Sequence, residues 1–548
     1  MNNPWWKEAV VYQIYTKSFM DSDGDGIGDL MGVISKLDYL KELGIDIVWL
    51  TPINLSPDRD NGYDISDYRT IQPAYGTAED FNILISELHK RDMKLVMDLV
   101  VNHTSNDHDW YKKSSRDTSC KEHGYYYWCK KPNNWNAYFG GSAWTKSEYT
   151  GEYSLGVFSP YQPDLNWTNP KLRAEIYDMM RFWLDKGIDG FRLDAIACIG
   201  KADGLPDSKD SLPLVKDESV HTYLKEMRKE VLSKYDIMTV GEASGIGIDD
   251  MLKFAGDDSG ELNMMIQFTH VELDNDENYK WNLKRISLPK LKKHFDEWQR
   301  GLYGKAWNAL YWNNHDQPRA VSRLGCDEGE LREKSAEMIA VSLHMMQGTP
   351  FVFQGEELGM TNMRWNSIDE INDIESINAY EDLTQSGKYT PEEMLRIISC
   401  RGRDNARTPM QWSSAKNAGF TTGTPWLKVN PNYKSINASE QINRENSVYG
   451  FYKKLIKLRH ENEIIIDGTC RFVDIDNENV LSFVREYHGQ IWLVVCNFSQ
   501  EEKCFDYERF IDGKVIHTVI GNWDDSEYIN TKKLKPYEAV VLRTEAKA

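Results

Sequence analysis

The chain of 548 residues predicts an α/β fold: a (β/α)8 TIM barrel with an inserted subdomain after the third strand and a C-terminal antiparallel β domain. Three observations carry that expectation. Short apolar runs, mostly β-branched, alternate with helix-like stretches; polar and charged residues gather where the runs end; and beyond about residue 463 only short alternating runs follow. Eight alternations imply a closed barrel rather than an open sheet, and the C-terminal ends of its strands are where active sites are built.

The predicted strands are VVYQIY near 10–15, DIVWLTP at 46–52, KLVMDLVVNH at 94–103 and DGFRLDAI at 189–196. The series continues with IMTVGEA at 237–243, LNMMIQF at 262–268, NALYWNNHD at 308–316 and TPFVFQGEE at 349–357. Between them, segments such as LMGVISKLDYLKELG and AEDFNILISELHKRD are apolar at helical spacing and end near Gly44 or a charged cluster. Residues 104–170, rich in Trp, Tyr, Asn and Gly, are too many for an ordinary connection and read as a subdomain overhanging the strand ends. After the helix-like VYGFYKKLIKLRHEN, the runs RFVDI, VLSFVREY, IWLVVCNF and AVVLR predict the β domain. The barrel thus comprises 1–103 and 171–462, the insert 104–170 and the last domain 463–548.

Composition narrows the function classes. With 41% hydrophobic and 12% aromatic residues the chain can bury a large core. MNNPWWKEAV lacks a basic stretch followed by an apolar run, and no segment approaches the roughly 18 apolar residues of a membrane span, so a soluble cytoplasmic protein is expected. Eight cysteines without CxxC pairs read as reduced structural thiols. A formal charge of −20 with no basic stripe argues against nucleic acid as a partner. A monomer is expected.

At the predicted strand ends stand Asp98, Asn102 and His103, then Arg192 and Asp194, then Glu242, then His315 and Asp316. Any one of them reads as a loop cap. Together they place carboxylates, histidines and an arginine around one mouth, where burial is costly unless chemistry requires it. Cleavage of a glycosidic bond with retention needs such a set: one carboxylate as nucleophile and a second, kept protonated, as acid and then base. Burial near other carboxylates raises the acid's pKa, and an adjacent arginine keeps the nucleophile ionised. Arg192 lies two residues before Asp194, on the same side of its strand. Asp194 is therefore the expected nucleophile and Glu242 the acid/base.

At these residues the sequence resembles the α-amylase family of glycoside hydrolases. DLVVNH, GFRLDAI, VGEA and NNHDQPR match its signature stretches in order, and QPDLN at 162–166 matches a fifth. NGYDISDY, QGEELGM and RDNARTPMQW extend the resemblance over essentially the whole chain, to the oligo-1,6-glucosidase and α-glucosidase branch. The resemblance implies Asp316 as a third carboxylate that holds sugar hydroxyls. It implies His103 and His315 as hydrogen-bonding partners of a glucose, Arg192 as the group orienting Asp194, and Tyr63 stacked under the ring. Asp60 and Arg403 match a pair that clamps the terminal glucose in exo-acting relatives; Phe139, Phe158 and Gln162 fall on segments that would line the pocket.

The run DSDGDGIGDL at 21–30 is no EF-hand, because Gly32 stands where the twelfth-position glutamate belongs, yet its carboxylates would repel without a cation. The resemblance implies a structural calcium site there, with magnesium the alternative. Its ligands would be Asp21, Asp23, Asp25, Asp29 and the Ile27 carbonyl. The implied function is an exo-acting α-glucosidase that releases glucose, with retention, from α-linked oligosaccharides. Trehalose-6-phosphate hydrolases, sucrose isomerases and the non-catalytic heavy chains of amino-acid transporters resemble the same branch. A phosphate pocket would mark the first, for which Lys280, Lys284 and Arg285 are available. Ala195 departs from the pattern: relatives that favour α-1,6 bonds carry valine there, and those accepting α-1,4 bonds carry alanine or threonine.

Overall fold

The computed structural model describes residues 3–213, 217–277, 279–511 and 513–546. Eight parallel strands form its centre: β1 (Val11–Ile14), β2 (Ile47–Leu50), β3 (Lys94–Val100), β4 (Gly190–Asp194), β5 (Met238–Ala243), β6 (Met264–Gln267), β7 (Ala309–Leu310) and β8 (Thr349–Phe353). Their order is β6-β5-β4-β3-β2-β1-β8-β7, and a parallel bridge from Met265 to Asn308 joins β6 to β7 and closes the barrel. Apart from Lys94, every residue of these strands is buried. Parallel strands covered on both faces must be apolar throughout, so they read in the sequence as continuous runs.

The helix expected over 30–44 is two, Leu30–Ile34 and Leu37–Leu43, parted at Ser35 and Lys36, where Lys36 leaves helical geometry at ψ 5°. Gly44 ends the second at φ +100°, a conformation glycine adopts without penalty. The helix Ala78–His89 begins on a reciprocal capping box between Thr77 and Asp80. The expected seventh strand, 308–316, is also shorter. Only Ala309–Leu310 pair with β8; beyond them Asn313 donates to Glu356 at 2.8 Å, and the chain turns into the mouth.

Above the strand ends the insert forms a small antiparallel sheet, with Tyr153–Leu155 between Trp128–Cys129 and Trp144–Lys146. Two helices, Ile374–Gln385 and Pro391–Arg401, overhang the same face from the far end of the barrel. Asn378 on the first donates to the Phe139 carbonyl at 2.6 Å, tying the two overhangs together. The C-terminal domain is a five-stranded antiparallel sheet in the order Thr469–Val473, Val480–Tyr487, Gln490–Asn497, Ala539–Ala546, Gly513–Gly521. Its buried Arg485 donates to Thr469, Ile465 and Gly468 carbonyls at 2.8, 3.0 and 2.9 Å and to that of Met345, docking the sheet on the barrel. Among the described residues no helix is long and apolar enough to cross a membrane.

Candidate active site

The strand ends converge on a cavity of about 1120 Å³ roofed by the insert and the 374–385 helix. Arg192 stands at its floor. It lies in register with Asp98 on β3 and Val240 on β5, and its side chain is fully buried. Its Nη1 donates to Asp98 Oδ1 at 2.6 Å and to Asp194 Oδ1 at 2.7 Å, while Nη2 pairs with Glu242 Oε1. Asp98 is held from the other side by Trp49 Nε1 at 3.2 Å and the Tyr63 hydroxyl at 3.0 Å.

Arg192 therefore does not single out Asp194, as its spacing in the sequence suggested. One guanidinium serves three carboxylates. Burial pushes Asp194 and Glu242 each up to about 7 and Asp98 up to about 6, against the opposing pull of Arg192. The charges of Asp98 and Asp316 push Asp194 up, and those of Asp194 and Asp316 push Glu242 up, so the cluster resists full ionisation and readily keeps a proton. Glu242 Oε2 also accepts from the Ala195 N–H at 3.3 Å. Ala195 itself turns into the left-handed region, φ +41° and ψ +39°, immediately after β4.

Asp316 behaves differently. Burial would raise its pKa, but His315 Nε2 at 3.0 Å, Arg403 Nη1 at 3.3 Å and Arg407 Nη2 at 2.9 Å more than offset it and hold the carboxyl well below its usual range. His315 is buried behind it, bonded through Nδ1 to Gln13 at 2.8 Å and stacked on Tyr63 with ring centroids 5.1 Å apart. Burial lowers the pKa of His315, and that of His103 to about 4, so both imidazoles are neutral at neutral pH.

At one end Gln162 Nε2 donates to Asp60 at 2.9 Å, and Arg403 Nη2 reaches Asp60 at 3.4 Å and Asp373 at 2.7 Å. The Arg403 guanidinium also lies 4.8 Å from the Phe139 ring centroid, and Phe158 packs on His103 at 5.2 Å. Asp60, Tyr63, His103, Phe139, Phe158, Gln162, Asp194, Ala195, Glu242, Asp316 and Arg403 line the cavity; Arg192 and His315 stand behind its surface. The sequence reading did not single out Asp373, Glu375 or Arg407, which complete the ion network around Arg403 and Asp316. Arg407 shares the run RDNARTPMQW with Arg403 and was the one with a signal.

The 21–29 loop lies apart from this cavity. Asp21, Asp23 and Asp29 each offer a carboxylate oxygen within 4.8 Å of the others, an all-oxygen set suited to a hard cation. Asp25 is outside that group; its Oδ1 accepts from the Ile27 N–H at 2.7 Å. Burial and the neighbouring Asp23, Asp21 and Asp29 raise its pKa.

Residues 13–468 match the α-amylase catalytic domain, and 470–541 the maltogenic amylase C-terminal domain. An oligo-1,6-glucosidase of Bacillus cereus is 50% identical over 99% of this chain and 100% of its own length. The crystal structure of a Bacillus licheniformis trehalose-6-phosphate hydrolase covers both chains completely at 45% identity, TM-score 0.95. That of an isomaltulose synthase from Klebsiella sp. superimposes with TM-score 0.96 at 40% identity, over 99% of this chain and 100% of that one. With its barrel, its paired carboxylates and both domain matches in place, the chain belongs to the α-amylase family of glycoside hydrolases.

Proposed function

We propose that the protein is a retaining, exo-acting α-glucosidase that removes glucose from the non-reducing end of short oligosaccharides, cleaving α-1,6 bonds and α-1,4 bonds as well. The observation that carries this reading is that Asp194 and Glu242 sit on one guanidinium. So close a pair suits a retaining mechanism, whose carboxyls stand roughly 5 to 5.5 Å apart, better than an inverting one, which must leave room for a water. Asp194 attacks the anomeric carbon while Glu242 gives its proton to the departing oxygen, leaving a glucosyl ester on Asp194. Glu242 then takes a proton from water, which attacks the ester and frees α-glucose. Asp316, ionised throughout, holds ring hydroxyls and stabilises positive charge at the anomeric centre.

Asp60, Gln162, His103 and Arg403 supply hydrogen-bonding groups for a terminal glucose, and their tight mutual pairing closes the cavity behind it. Ala195, small and facing the cavity, leaves space for an α-1,4-linked second sugar. Uncharged substrates suit the rest of the wall. Lys280 is paired with Glu375 at 2.5 Å, and Arg323 and Arg401 both bind Asp274, at 2.7 and 2.8 Å. Lys284 pairs with Asp276 at 3.1 Å, and neither it nor the exposed Arg285 lines the cavity. Calcium at Asp21, Asp23 and Asp29 would stiffen the loop after β1 without touching substrate.

Thin-layer chromatography of products from isomaltose, maltose, sucrose, trehalose and trehalose 6-phosphate tests the reading. Glucose from isomaltose and maltose is expected. Glucose 6-phosphate as the main product, or isomerised sucrose, would replace it with one of the related activities.

A further inference from the structure

One amide interrupts the first strand. Gln13 stands in β1 between Tyr12 and Ile14, in register with Trp49 on β2 and Phe353 on β8, and is 1% exposed. It does not line the cavity. A buried primary amide is costly unless its polar atoms find partners, and Gln13 Nε2 lies 2.8 Å from His315 Nδ1.

The direction of that bond follows from the other side of the ring. His315 Nε2 lies 3.0 Å from Asp316 Oδ2, while Asp316 Oδ1 takes Arg403 Nη1 at 3.3 Å and Arg407 Nη2 at 2.9 Å. The two arginines keep Asp316 ionised, and an ionised carboxylate only accepts. The hydrogen between Asp316 and His315 therefore sits on Nε2. A neutral imidazole has a single N–H, so Nδ1 presents its lone pair and the Gln13 amide N–H points at it.

The surroundings keep the ring neutral. Burial disfavours a second proton and Asp316 favours one, with Arg192 and Arg407 opposing it. Tyr63 and Tyr15 stack with the imidazole at 5.1 and 6.5 Å between centroids, and Trp49 meets it edge-on at 6.3 Å. Burial raises the pKa of both tyrosines, so these rings bring no charge. With two arginines on one oxygen of Asp316, an imidazolium on the other would offset the negative charge that the reaction needs beside the anomeric centre.

We propose that Gln13 is a positioning residue: by donating to Nδ1 it holds His315 as the neutral Nε2–H tautomer, which orients Asp316 without neutralising it. The inference deepens the α-glucosidase reading above and rests on it for the effect on turnover. Ring 15N spectra of histidine-labelled protein test it, with the His315 signals identified by their loss in His315→Asn. In wild type at neutral pH, His315 should carry its one hydrogen on Nε2.

In Gln13→Glu the new carboxylate should draw a proton onto Nδ1, leaving both nitrogens protonated. Turnover of an aryl α-glucoside should then fall roughly tenfold or more in kcat, with a smaller change in KM. Gln13→Met keeps the length and removes the donor, so the pH at which His315 gains its second proton should rise by about half a unit or more. That variant carries the test alone if Gln13→Glu does not fold. A wild-type His315 protonated on Nδ1 overturns the proposal, as does a folded Gln13→Met whose His315 titrates as in wild type. Unchanged kcat in a Gln13→Glu protein with a doubly protonated His315 overturns it too. The spectra need no substrate, so a wild-type protein that hydrolyses no α-glucoside overturns the glucosidase reading and leaves the tautomer to be read directly.

Discussion

Lys201→Met removes the cation on which the join between barrel and insert depends. Lys201 Nζ bonds Asp164 Oδ2 at 2.9 Å, Asn102 Oδ1 at 3.0 Å and the Cys198 carbonyl at 2.6 Å, with the Lys201 and Asp164 side chains 1 and 0% exposed. Asn102 follows β3, Asp164 belongs to the insert and Cys198 follows β4, so one ammonium clips three segments that carry His103, Gln162 and Asp194. Removing one partner of a buried pair costs about 3 to 5 kcal/mol, because the other charge stays buried and alone. Burial already pushes the Asp164 pKa up, and Lys201 is the main opposing influence. Without it the folded pKa rises further above the unfolded value. A raised carboxylate contributes stability that is present at low pH and lost as pH rises through the folded pKa, so the deficit should be larger at pH 8 than at pH 5. Urea unfolding followed by tryptophan fluorescence at both pH values measures it. The double variant Lys201→Met/Asp164→Leu should recover much of the loss, since it leaves no uncompensated charge. A loss below about 1 kcal/mol, or one that does not change with pH, would mean that the join does not depend on the Lys201–Asp164 pair.

Glu242→Gln should slow sugars with poor leaving groups far more than activated aryl glucosides, and should remove the fall in kcat/KM expected of wild type as pH rises through about 7; equal losses on both substrates would count against it as the acid. Ala195→Val should lower the ratio of kcat/KM for maltose to that for isomaltose about tenfold or more, the size of a methyl-scale clash in a pocket. Because position 195 has φ +41°, valine should also lower the melting temperature, but a general loss leaves the ratio unmoved and would defeat the steric account. Chelator should lower the melting temperature of wild type, with calcium restoring it, while Asp21→Asn should blunt the response; a chelator-insensitive wild type would leave the loop an acidic turn.

Strands β1 to β6 and β8 were legible because burial on both faces demands apolar runs, and the polar residues that interrupt them, such as Arg192 and Glu242, are those that build the cavity floor. β7 was overdrawn: the side chains of Asn313 and Asn314 bond Glu356 and the Asp316 N–H, so WNNHD leaves the sheet while still reading as its continuation. The helices Ile374–Gln385 and Pro391–Arg401 were missed altogether. Asp373 caps the first of them through the N–H groups of Glu375 and Ser376 at 3.2 Å each, a role that by itself signals nothing catalytic. Its second role, holding Arg403 thirty positions on, exists only in the folded chain. Charge sharing was likewise out of reach: spacing placed Arg192 beside Asp194, but only the closed barrel brings Asp98 and Glu242 onto the same guanidinium.

In the proposed mechanism Asp194 carries the sugar as an ester. Brief incubation with 5-fluoro-α-D-glucosyl fluoride, which forms the glucosyl ester faster than water can cleave it, followed by peptide mass spectrometry, tests it directly. One added fluoroglucosyl group is expected on the peptide containing GFRLDAI, located at Asp194 and absent from Asp194→Asn. A label on Glu242, Asp98 or Asp316, or none from a preparation that turns over isomaltose, would contradict it.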